Sequence, residues 1–72
     1  MKRGDRVRLT KDSRDVRFPV VFKAGEVGSL GQLYRIQDGI GVWEVILGMK
    51  KMFGLGEAHV RIAVLATHLE IV

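Results

Sequence analysis

Leu33-Tyr34-Arg35-Ile36-Gln37-Asp38-Gly39-Ile40-Gly41-Val42-Trp43-Glu44-Val45 is the stretch on which the fold turns. An Asp-Gly pair between residues of high strand propensity marks a two-residue type I′ hairpin, because that turn needs positive φ at both central positions. With Asp38-Gly39 as the loop, Gln37 faces Ile40, Arg35 faces Val42, Tyr34 faces Trp43 and Leu30 faces Leu47. One face of the hairpin then collects Leu30, Tyr34, Ile36, Trp43, Val45 and Leu47. The other carries Ser29, Arg35 and Glu44, with Leu33, Val42 and Ile46 as apolar exceptions. A Tyr34–Trp43 cross-strand pair is worth about 0.5–1 kcal/mol.

Outward from the hairpin, period two recurs and a 3.6-residue period never lasts three turns, which points to an all-β chain. Asp5 to Thr10 reads as a first strand with Val7 and Leu9 inward and Arg6 and Arg8 outward. Lys11 to Arg17 is polar and reads as a long loop running into Phe18-Pro19-Val20-Val21-Phe22, where Pro19 restricts the segment to an edge strand or loop arm. Lys23 to Glu26 reads as a turn, and Val27 to Ile36 as the second strand. Beyond the hairpin, Gly48 to Glu57 is a glycine-rich loop with large apolar side chains, and Ala58 to Leu65 a fourth strand with Val60, Ile62 and Val64 inward. Ala66 to Leu69 suits a single 3₁₀ turn, and Glu70-Ile71-Val72 a last short strand. The expected architecture is a single domain over residues 1–72, a five-stranded antiparallel barrel of the SH3-like kind with a short 3₁₀ turn before its last strand.

Gly4-Asp5-Arg6-Val7-Arg8-Leu9 and Lys23-Ala24-Gly25-Glu26-Val27-Gly28, with the strand-turn-strand ending from Val60 to Val72, resemble small SH3-like and KOW-like barrels. The resemblance implies a fold and no single activity. One enzyme of this shape, the plasmid-borne type II dihydrofolate reductase, is similar in its opening and in the Val60-Arg61-Ile62 strand. That family binds through a Val-Gln-Ile-Tyr segment. The matching stretch here is Val60-Arg61-Ile62-Ala63, without the Gln and the Tyr, so no active site carries over.

Composition narrows the function classes. The 72 residues contain no cysteine, which excludes disulfides and thiolate metal sites and suits a reducing, cytoplasmic setting. The longest apolar runs, around Phe18 to Phe22 and Ile62 to Ala66, are too short to span a bilayer as helices. Ser13 and Ser29 sit in no nucleophile context, and no phosphate-cradling glycine motif opens a helix, so neither catalysis nor a cofactor is expected. His59 and His68 lack a metal-ligand spacing and read as surface histidines.

Two binding surfaces remain. Apolar side chains outside the main strands, Phe18, Val20, Phe22, Met49, Met52, Phe53 and Leu55, suit a protein interface, with a partner or with a second copy of the chain. Self-association is the economical outcome, since a chain this short has few other sources of stability. The alternative rests on charge. Twelve Lys and Arg against eight Asp and Glu give +4. Arg6, Arg8 and Arg61 on outward strand faces, with Lys50 and Lys51 in the late loop, could track nucleic-acid phosphates if the strands carrying them are neighbours. In the assigned register Tyr34 and Trp43 belong to the core, leaving Phe53 as the aromatic free to stack on a base.

Overall fold

Asp38 and Gly39 have φ of 51° and 78°, the positive values that the two-residue turn requires. The computed structural model describes residues 1–18, 20–52 and 56–72, the stretches 49–52 and 56–58 by their backbone alone. In chain order it comprises β1 (Arg6–Leu9), β2 (Ser13–Arg14), β3 (Val21–Phe22), β4 (Val27–Gln37), β5 (Ile40–Met52), β6 (Gly56–Leu65), a 3₁₀ turn (Ala66–His68) and β7 (Leu69–Ile71). Five strands form one antiparallel sheet in the order β6-β5-β4-β1-β7, while β2 and β3 pair as a separate small ribbon. Among the described residues no ladder joins β6 to β7, so the expected barrel is not closed by hydrogen bonds.

Near the turn the register is as expected, with Gln37 opposite Ile40 and Arg35 opposite Val42. Two shifts follow, one between Leu33 and Arg35 and one between Leu30 and Leu33. The expected Tyr34–Trp43 and Leu30–Leu47 pairs are therefore replaced. Leu33 stands opposite Trp43, Leu30 opposite Val45 and Gly28 opposite Leu47. The physical reason is the spacing of apolar residues in β4. Leu30, Leu33 and Ile36 recur every third position, and strict alternation cannot keep all three on one face. One extra residue in each interval does so.

The late glycine-rich segment also differs from its reading as a loop. β5 runs to Met52 and β6 begins at Gly56, with Met52 opposite Gly56 and a further shift at Gly48, between Leu47 and Met49. Glycine there marks a bulge within a long hairpin.

All five main strands send side chains into one core. Val7 and Leu9 come from β1, Leu30 from β4, Val45 and Leu47 from β5, Val60, Ile62 and Val64 from β6, and Leu69 from β7. Phe22 of β3 joins them, and Phe18, Val20 and Trp43 pack against the cluster. The Phe18 and Phe22 rings meet edge to face at 5.8 Å. The long first connection thus folds back over the sheet and contributes to its interior. Its base is tied by Asp12, whose Oδ1 accepts a 2.9 Å bond from the Ala24 N–H.

Candidate functional site

In an unbroken strand, Tyr34 and Arg35 would point to opposite faces. The bulge puts them on the same one. Arg35 lies opposite Val42, and the Tyr34 hydroxyl donates a 3.0 Å bond to Glu44 Oε2, on the face of β5 away from Val45 and Leu47. Re-aiming a side chain is a common use of a bulge.

Glu44 is buried although ionisable. Gly31 leaves room for it, since a Cβ at that position would overlap the carboxylate. Its charge is met by the Tyr34 hydroxyl and by Arg61 Nη1 at 3.8 Å. Burial, followed by the bond to Glu44, raises the Tyr34 pKa, so the phenol stays a neutral donor.

A second acid lies close by. Asp15 is buried, and Arg17 grips it through Nε at 3.0 Å and Nη2 at 2.9 Å, a bidentate arrangement. The same Arg17 Nη2 donates to the Arg61 carbonyl at 2.8 Å, and the Ala63 N–H donates to Asp15 Oδ2 at 3.3 Å. One carboxylate–guanidinium pair therefore satisfies a C=O and an N–H two residues apart along β6. The Arg17 bond is the main cause that lowers the Asp15 pKa from 3.8 to about 2, with backbone donors adding to it against the opposing effect of burial.

This shift has a sign and a size. A carboxylate whose folded pKa is depressed contributes stability above its unfolded pKa and loses it as pH falls through the folded one. The contribution of Asp15, about 2 kcal/mol from a shift of about two units, is present at neutral pH and fades between about pH 4 and pH 2. Asp15→Asn should lower stability by that amount at neutral pH, and the gap to the native chain should close near pH 2. Urea unfolding at the two pH values measures both, and a gap that persists at low pH contradicts the assignment.

These groups frame an open cleft of about 540 Å³, lined by Arg14, Val16, Arg17, Tyr34, Arg35 and Ala63. A smaller one of about 230 Å³ is lined by Arg6, Ser29, Ile46, Gly48 and His59 among others. Arg61 stands between them: it faces Ile46 of the second cleft across the β5–β6 ladder and lies two residues from Ala63 of the first. Among the described residues neither Arg6 nor Arg14 forms an ion pair, and Arg35 reaches only Gln37 Oε1 at 3.4 Å. Both acids next to the larger cleft, Asp15 and Glu44, are buried and engaged. The exposed charge around it is positive.

The structure distributes the expected site residues unevenly. The strands bearing Arg6 and Arg61 are not neighbours, since β4 and β5 lie between them. The two arginines nevertheless end one continuous row of outward residues, Arg6–Ser29–Ile46–Arg61, across four strands. Arg8 is held by Glu70 of β7 at 3.1 Å. Phe22 is inside the core, and Phe18 and Val20 pack on it. Met49, Lys50, Lys51 and Met52 belong to β5, but their side chains lie outside the described ones, as do Phe53 and Leu55 altogether. His59 is exposed, with Nδ1 3.3 Å from the Leu47 carbonyl, and no three His, Asp or Glu gather as a metal site among the described residues. No helix among them is long and apolar enough to cross a membrane.

Sequence reasoning missed Arg14, Tyr34 and Arg35. The signal available was the Leu30, Leu33, Ile36 spacing, which implies the bulges that turn Tyr34 outward. Compared with protein-family models, with curated proteins and with solved structures, the chain matches none.

Proposed function

We propose that this chain is a small non-catalytic module that binds nucleic acid across the outer face of its sheet. The observation that carries this reading is the pair of clefts on that face, with the guanidiniums of Arg6, Arg14 and Arg35 around them free of ion pairs and the acids beside the larger one buried. Phosphate contacts need accessible cations whose charge is not already spent on carboxylates. The strand order, the long first connection and the 3₁₀ turn before β7 support an SH3-like, KOW-like fold as the scaffold, an open relative of the barrel form.

Salt dependence tests it. Affinity for short RNA and DNA oligonucleotides, followed by fluorescence anisotropy over a salt series, should fall linearly on logarithmic axes. Arg6→Ala, Arg14→Ala and Arg35→Ala should each flatten the slope by about 0.7–0.9, the signature of one lost phosphate contact. Arg8→Ala should change it less, because Glu70 already neutralises that side chain. Absence of binding at low salt removes the reading.

A protein partner, or a second copy of the chain, is the other reading. Its support is the apolar end of the β4–β5 hairpin, where Leu33 and Ile36 are 44% and 62% exposed. Light scattering at increasing concentration separates the two, since self-association through such a surface persists at high salt while phosphate binding does not.

A further inference from the structure

We infer that Tyr34 is a stacking platform for an unpaired base, which makes single strands the preferred ligand of the larger cleft. The inference rests on the nucleic-acid reading above and goes beyond it, because phosphate contacts alone do not distinguish a single strand from a duplex.

Three observations converge on the ring. The bulge delivers Tyr34 and Arg35 to one face as consecutive residues, so an aromatic surface and a guanidinium without an ion pair enter the cleft side by side. The hydroxyl is anchored on buried Glu44, which ties the tip of the side chain to the cleft wall while the residue stays 38% exposed. Arg14 stands in the same cleft from the other element, without an ion pair among the described residues. A ring that shares a cleft with two cations free of ion pairs fits the repeat of a single strand, in which a base lies between successive phosphates. Ala63 in the lining is small and leaves room for a flat group, and the cleft is within the usual range for ligand sites, about 300–1,000 Å³. A duplex cannot use the ring without unstacking its own bases.

The ligand class follows from charge. Asp15 and Glu44 are buried and paired with Arg17 and Arg61, so among the described lining residues the charge left for an incoming polyanion is that of Arg14 and Arg35. An acidic protein segment shares the negative charge but offers no ring faces at the phosphate repeat.

The experiment uses the full chain. Tyr34→Leu should weaken binding to a single-stranded oligonucleotide by about 5- to 150-fold, the range for losing one stacked base, while leaving the salt slope unchanged. Tyr34→Phe, which keeps the ring and loses only the bond to Glu44, should bind nearly as well as the native chain. A duplex of the same sequence should bind more weakly than the strand. Photocrosslinking of an iodouracil-containing strand to the native chain should map to Tyr34, which guards against a Tyr34→Leu variant that fails to fold. Unchanged affinity in a folded Tyr34→Leu chain, or crosslinks only elsewhere, overturns the inference and leaves the phosphate reading standing. Displacement of the strand by polyglutamate at equal charge overturns it in favour of an acidic protein partner. Loss of all nucleic-acid binding in the native chain defeats the underlying reading instead.

Discussion

Ile62→Ala should remove about 2–5 kcal/mol of stability, a large share of what a chain this short has. Ile62 is fully buried on β6, opposite Val45, within the cluster to which every main strand contributes. Alanine deletes three carbon atoms and leaves a void that a curled sheet cannot collapse around, since its backbone is fixed by ladders on β5. Total stability for 72 residues, at about 0.05–0.15 kcal/mol per residue, is about 4–11 kcal/mol. At the low end of that range the substitution removes half or more of the total. Ile62→Val, which removes one methyl group, should cost about 0.5–1.5 kcal/mol. Urea denaturation of the two variants measures the ratio, and a loss below about 1 kcal/mol for the alanine variant would place the core elsewhere.

Gly28→Val should be comparably severe, by about 3 kcal/mol, for the opposite reason. A Cβ at Gly28 would lie 2.6 Å from the Ile46 carbonyl oxygen and 3.0 Å from Leu47 Cδ2. The nearer obstacle is main chain, so no side-chain rotation relieves it. β4 and β5 must part where Gly28 faces Leu47, which loses ladder bonds worth about 1 kcal/mol each in addition to the strain. Amide exchange should show the damage first at residues 28–30 and 45–47, and unchanged protection there would contradict the close approach.

The all-β class, the Asp38-Gly39 turn and the inward residues of β1 and β6 were legible because each depends on local chemistry: a positive-φ pair or a clean alternation of two. The register of β4 was not, because it depends on competition between residues. Continuing the turn's register placed Tyr34 inward, yet Leu33 and Ile36 can hold the same face only if extra residues are inserted. The three-residue spacing was visible, but its resolution by bulges depends on β5 packing opposite. The candidate site inherits this. Arg6 and Arg61 followed from alternation, whereas Tyr34 and Arg35 reach the cleft through the bulge and Arg14 through the fold-back of the first connection. The Phe18–Phe22 arm illustrates the converse case. Composition marked it as surplus apolar surface, and only tertiary structure could show that its aromatic pair completes a core too small without it.

The pair Asp15–Arg17 has a consequence for how copies of this chain behave in a crowd. A sheet left unclosed has two rims, and one rim of a molecule can join the other rim of the next without ever meeting a stop, which is the geometry of a fibre. Here one rim, β7, is three residues long, and the other, β6, is ten. Midway along the longer rim, Arg17 and Asp15 occupy the Arg61 carbonyl and the Ala63 N–H, the two positions that a single residue of a parallel neighbour would otherwise take. The carboxylate–guanidinium pair is in effect a side-chain stopper against runaway growth. The same grip that holds Arg17 beside the cleft thus also blocks that rim, and Asp15→Asn, besides losing stability, should scatter more light than the native chain at the same concentration.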